Sequence, residues 1–236
     1  MSLNLTTKYS INFSLPKRSK NLIQFIILHY TGMKIESKAI KRLCDSKAKV
    51  SSHYFIKNNG EVMILVPTSY EAWHAGKSNW KKFKSLNKYS IGIEIQNPGH
   101  EHSYSNFSSK QIFSLTKLLK YLKKKYNIKN QNVLGHSDIA PDRKKDPGEK
   151  FPWKMLASKN LCKWHDLSEN KIKKNRNIMI SNSQEKIFFN NLYKIGYSKV
   201  KKNNLVKAFQ RKFRQSLING KTDKECLLIS ENVIKS

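Results

Sequence analysis

Hydrophobic positions along the chain change period several times, and each change marks an element. Residues 22–30 (LIQFIILHY) are short, β-branched and nearly continuous, the pattern of a strand buried on both faces. Residues 36–47 place Ile40, Leu43 and Cys44 at helical spacing, which predicts a crossover helix. Residues 53–57 and 61–66 read as short strands around Asn58-Asn59-Gly60, a hairpin signal. In residues 90–96 (SIGIEIQ), Ile91, Ile93 and Ile95 alternate with Gly92, Glu94 and Gln96, so Glu94 lies on the face opposite the isoleucines. Residues 109–126 repeat apolar positions at i, i+3 and i+4 through Ile112, Leu115, Leu118, Leu119 and Leu122, with serines ahead and lysines in the last turns. That is a long amphipathic helix. A brief strand over 132–135 leads into a loop, 136–152, dense in Pro, Gly and charge. Strands alternating with helices predict an α/β (α+β) fold with a mixed central β-sheet flanked by helices.

The pattern weakens near residue 166. Residues 167–182 are polar and basic, with no clear period, and read as a linker. Three helical segments follow: 183–195, closed by Gly196, then 203–215 and 223–235, with Asn219-Gly220 turning between the last two. The expected organisation is a main domain over 1–166, a linker over 167–182 and a small three-helix domain over 183–236.

Composition changes this picture modestly. The 236 residues carry a formal net charge of +30, with 40 Lys against 6 Arg. Such charge suits a polyanion, whether nucleic acid, an acidic envelope polymer or a membrane surface. The scarcity of arginine and the absence of Arg-rich or aromatic-interleaved patches argue against a specific nucleic-acid partner. Residues 171–236 hold 16 basic and 4 acidic side chains, so the second domain is densely cationic. No run approaches the roughly 20 apolar residues of a membrane span. The first twenty residues lack the apolar core of a signal peptide, which favours a cytoplasmic location; periplasmic or secreted placement follows if a leader precedes them. Cys44, Cys162 and Cys226 are odd in number and far apart, unlike a disulfide framework. Oligomeric state has no sequence signature here.

The candidate chemistry lies at strand ends. His29 ends the first buried strand, His136 follows the 132–135 strand, and Asp146 comes ten residues later in Asp-Pro-Gly. Two imidazoles and a carboxylate form a catalytic zinc set with one position left open. Ordinary loop histidines and a turn aspartate are the rival reading. Glu94, on the polar face of an apolar strand, must meet water, a cation or a ligand. Lys144, two residues before Asp146, can face the same way in an extended loop and stabilise an oxyanion.

These residues sit in five blocks, in order: IILHYTG (26–32), SSHYFIKNNGEVMILVP (51–67), AWHAGKSNW (72–80), SIGIEIQNPG (90–99) and VLGHSDIAPDRKKDPG (133–148). Together they resemble the zinc-dependent N-acetylmuramoyl-L-alanine amidases of the type 2 class, which share the fold of peptidoglycan recognition proteins. The resemblance implies zinc ligands at His29, His136 and Asp146, an acidic residue activating water at Glu94, and an intermediate-stabilising lysine at Lys144. It implies a muropeptide groove lined by Tyr30, Trp73, His74, Asn97 and Arg143, with Arg143 pairing a stem-peptide carboxylate. His53 reads as structural, and His100, His102 and His165 as surface. The implied reaction cuts the amide between N-acetylmuramic acid, or its 1,6-anhydro form, and L-alanine. A non-catalytic muropeptide recognition protein is the alternative, although such relatives usually lack a zinc ligand. Residues 206–227, with their Ala-Phe-Gln helix, resemble a peptidoglycan-binding three-helix domain, and Phe209 and Phe213 are expected in its core.

Overall fold

The computed structural model describes residues 5–235. Two short strands open the chain, β1 (Leu5–Thr7) and β2 (Phe13–Ser14), followed by β3 (Phe25–Tyr30) and helix α1 (Glu36–Cys44). Then come β4 (Tyr54–Ile56), β5 (Val62–Ile64), β6 (Glu71–Ala72), β7 (Asn79–Trp80), β8 (Phe83–Lys84) and β9 (Ser90–Ile95). Helix α2 (Ser109–Tyr126) precedes β10 (Val133–Gly135), and six helices follow: the single turn α3 (His136–Ile139), then α4 (Trp153–Ser158), α5 (Glu169–Lys173), α6 (Asn182–Ile195), α7 (Lys202–Phe213) and α8 (Lys224–Lys235).

The main sheet is mixed, as expected, in the order β1-β5-β4-β9-β3-β10. The β4–β5 pair is the antiparallel hairpin predicted around Gly60, and β3 runs parallel to both β9 and β10. Its central strands are buried on both faces. On one face Ile26, Leu28, Ile91, Ile93 and Ile95 pack against Leu115, Leu118, Leu119 and Leu122 of α2 and Trp153 of α4. Helix α2 starts with a capping box in which Ser108 accepts the Gln111 N–H and the Gln111 side chain accepts the Ser108 N–H. On the other face α1 sets Ala39, Ile40 and Leu43 against Phe55 and Met63. Further along that face, Phe25, Ile27 and Leu134 form one core with Phe188, Leu192, Leu205 and Phe209 of the C-terminal helices.

Several expectations change. The first strand begins at Phe25 because Lys20–Leu22 forms a 3-10 turn capped by Ser19. β1 and β2 have no counterpart among the expected elements, since strands of three and two residues are too short to show alternation. The loop after β10 begins with the turn α3. The stretch expected to be a linker carries α5, anchored by buried Ile172 in the core shared by the sheet and C-terminal helices. One buried residue in a five-residue helix leaves no period to detect. His165, read as surface, is 7% exposed and stacks on Trp164 with ring centroids 5.0 Å apart. Phe209 and Phe213 are core residues, and all three cysteines are free.

Candidate active site

Parallel pairing puts the site at the carboxyl ends of the central strands, where open α/β sheets present their crevice. The register sets His29 on β3 directly beside Glu94 on β9, both on the face between α1 and the C-terminal helices. Leu28 pairs with Gly135, so His136 emerges from β10 next to His29. Asp146 returns on the following loop, its carbonyl accepting the Ser137 N–H at 2.9 Å. Close packing at this return depends on Gly135, where a Cβ would lie 2.7 Å from Pro147 Cδ.

Three ligand atoms converge as a result. His29 Nδ1 lies 2.9 Å from Asp146 Oδ2, His136 Nδ1 lies 3.0 Å from the same oxygen, and the two Nδ1 atoms are 3.0 Å apart. All three residues are buried. Burial drives the His29 pKa down to about 4, with the His136 ring adding to the effect, so His29 is neutral at pH 7. Asp146 is also buried, but the two imidazoles hold its carboxyl well below the usual range. His136 Nε2 lies 3.1 Å from the Ala75 carbonyl, which can only accept, so Nε2 can carry the ring proton and leave Nδ1 to a cation shared with Asp146. Two imidazole lone pairs and an ionised carboxylate, gathered at about 3 Å, suit a small divalent cation bound by nitrogen and oxygen.

A cavity of about 340 Å³ opens over this group, lined also by Glu94, Lys144, Tyr30, Trp73 and Arg143. Glu94 is half-buried, and its buried Oε2 has no hydrogen-bond partner. Burial raises its pKa well above the carboxylate norm, and nearby Asp146 raises it further while Lys144 opposes both. Tyr30 Oη lies 2.8 Å from His100 Nδ1, whose Nε2 lies 3.0 Å from Glu149. His100 therefore lines the cavity rather than lying free on the surface, and burial pushes the Tyr30 pKa up to about 12.

The chain matches a family model described as N-acetylmuramoyl-L-alanine amidase over residues 19–149. It belongs to the N-acetylmuramoyl-L-alanine amidase family. Among relatives of this amidase, N-acetylmuramoyl-L-alanine amidase AmiD of Escherichia coli (strain K12) is 34% identical over 231 residues, spanning 90% of this chain and 83% of that one. The 1,6-anhydro-N-acetylmuramyl-L-alanine amidase AmpD of the same organism is 38% identical over 114 residues, 47% of this chain and 60% of that one. The solved complex of E. coli AmiD with anhydro-N-acetylmuramic acid-L-Ala-D-gamma-Glu-L-Lys superposes with a TM-score of 0.81 at 31% identity, covering 94% of this chain and 92% of that one. AmpDh3 from Pseudomonas aeruginosa with anhydromuramic pentapeptide gives 0.78 at 28% identity, covering 93% of each chain.

Within this amidase some expected groove residues have other work. Asn97 is buried and does not line the cavity; its amide donates to the Ser105 carbonyl at 2.9 Å and accepts the Gly99 N–H at 3.0 Å. Arg143 reaches the cavity, but its guanidinium donates to the carbonyls of Ala75 at 2.6 Å and Lys77 at 3.0 Å. His74 lines the cavity floor yet is buried behind His29, with its Nδ1 3.1 Å from His29 Nε2. His53 is buried and accepts the Gly92 N–H at Nδ1, a structural contact. Sequence reading missed Ser90, which touches His74, and Asp138, which accepts the Gly135 N–H at 2.8 Å just before His136. Neither has a signal beyond ordinary polarity. No described helix is long and apolar enough to cross a membrane.

Proposed function

We propose that this amidase hydrolyses the bond between the lactyl group of N-acetylmuramic acid, or its 1,6-anhydro form, and L-alanine of the stem peptide, with zinc held by His29, His136 and Asp146. Zinc held there would supply a Lewis acid that polarises the scissile carbonyl and acidifies the attacking water. The observation that carries the reading is the buried, unpartnered Oε2 of Glu94 beside the convergent ligand group. Its raised pKa makes this carboxylate a stronger base than a free one. Glu94 accepts the proton of the attacking water as the new C–O bond forms. It then delivers that proton to the alanine nitrogen as the C–N bond breaks. Lys144, from the same cavity, offers its ammonium to the developing oxyanion. Tyr30, Trp73 and Arg143 border the space where muropeptide lies, with Arg143 shaping it through the 75–77 carbonyls.

The anhydro-muropeptides in the solved relatives support a soluble fragment as substrate, and the cationic C-terminal helices suit an anionic polymer. We propose that residues 1–166 form the catalytic part and residues 183–236 a three-helix part that packs on it. A recognition protein without catalysis has no need of Glu94 and Lys144 beside a complete ligand set. Mass spectrometry of products from purified sacculi and from anhydro-muropeptide, with and without chelator, tests the assignment. Release of free stem peptide that stops with chelator is expected. Intact substrate in every lane despite bound zinc overturns it.

A further inference from the structure

An imidazole serves a metal through one nitrogen only when its proton sits on the other, so something must choose the tautomer. For His29 the choice can be followed atom by atom. Ser90 Oγ lies 2.6 Å from the Leu86 carbonyl, which can only accept, so the serine spends its single proton there. His74 Nε2 lies 3.2 Å from the same Oγ, so His74 must donate from Nε2 and keep a lone pair on Nδ1. That lone pair faces His29 Nε2 at 3.1 Å, so His29 donates from Nε2. Its Nδ1 then offers a lone pair on the side of Asp146 and His136, where a cation, in place of a proton donated to the carboxylate, joins the three.

The next residue does the same for the other imidazole, because the Ala75 carbonyl takes the His136 Nε2 proton at 3.1 Å. Asn87 fixes both at once: its Oδ1 accepts the backbone N–H groups of His74 at 3.1 Å and Ala75 at 2.6 Å. Gly92 makes room for the His74 ring beside β9, since a Cβ there would lie 2.4 Å from His74 Cγ.

We propose that His74, oriented by Ser90, is a positioning residue that holds His29 in its Nε2–H tautomer, and that the pinned segment 74–75 thereby sets the ligand form of both imidazoles. The role assigned to His74 is orientation of a ligand, in place of contact with muropeptide. It rests on the metal-site reading above.

Long-range 1H–15N spectra of the metal-free protein, together with zinc titration against a competing chelator, test it. In the wild type both His29 and His136 should show the Nε2–H tautomer. His74→Leu should weaken zinc about 10–100-fold, the usual cost of losing an outer-shell partner. His74→Asn, whose amide oxygen can occupy the Nδ1 position, should recover most of that loss. Ser90→Ala, a small change that keeps the fold if His74→Leu does not, should move His29 toward the Nδ1–H form and weaken zinc several-fold. A His29 that is Nδ1–H in the wild type overturns the proposal, as does wild-type zinc affinity in every variant. A wild type that binds no zinc while showing the expected tautomers overturns the metal-site reading instead, leaving the tautomer relay standing.

Discussion

Glu94 and Lys144 share one cavity with different protonation tasks, and substitution separates them. Glu94→Gln keeps the size of the side chain and removes its capacity to take a proton. Zinc stoichiometry should be unchanged while kcat falls about 10²–10⁴-fold. Elemental analysis beside steady-state kinetics checks this, and near-normal turnover would remove Glu94 from the reaction. Lys144→Met should lower kcat by about 10²–10³-fold with little change in KM, because its charge is needed only as the oxyanion develops. A rise in KM at constant kcat would instead make Lys144 a substrate contact. At this scale the residue types were legible in the sequence. Which atom of each side chain is used was not, since that depends on neighbours such as Ser90 and Ala75, remote in sequence from the histidines they orient.

Helix α7 reaches into the scaffold that carries His136. Its Lys212 Nζ lies 3.0 Å from Asp138 Oδ2 and 3.1 Å from the Val133 carbonyl, with both side chains almost wholly buried. Tyr197, just beyond α6, donates to Asp138 Oδ1 at 2.7 Å. Gly196 permits that approach, since a Cβ there would lie 2.4 Å from the Trp80 ring. Removing the lysine charge leaves a buried carboxylate without its cation, at a cost of roughly 3–5 kcal/mol. Lys212→Met should therefore lower the urea midpoint markedly, and an unchanged midpoint would deny this pair a structural role. Gln215 adds a second brace, donating to the carbonyls of Glu149 and Phe151 at 2.6 Å just after Asp146. The helices themselves were legible from their period. Their docking surface was not, because Lys212 reads as one more basic position until Asp138 is placed against it.

Over the whole molecule, a chain ending at residue 166 would uncover Phe25, Ile27 and Leu134, and it would strip Asp138 of Lys212 and Tyr197. Such a chain should lose cooperative urea unfolding and near-ultraviolet dichroism. A cooperative, native-like transition would show that residues 1–166 fold alone. Acid sensitivity is another property of the whole. Burial lowers the pKa of His29 to about 4 and that of His53 and His74 well below 6.5. Between pH 6.5 and these lowered values the unfolded chain binds more protons, so stability falls as pH falls. Each such histidine contributes up to about 1.4 kcal/mol per pH unit. Glu94 has the opposite sign, because its raised pKa makes the folded state bind more protons above pH 4.5. Three histidines outweigh one glutamate, so the metal-free protein should lose stability steadily from pH 7 to pH 5. Urea midpoints across that range check the slope, and a flat profile would mean that these histidines are not held neutral.

The strand and helix periods of the main elements, the hairpin at Gly60, the five ordered blocks and the types of the ligand residues are legible in the chain before it folds. These are local properties, set by side-chain alternation, capping and turn chemistry within a few residues. Folding alone brings His29, His136 and Asp146 within 3.0 Å, sets His74 behind a ligand and gives the C-terminal helices a core shared with the sheet. Such facts depend on strand register and on burial between segments separated by scores of residues. A lysine, a glycine or a serine carries no mark in sequence of the partner it will meet there.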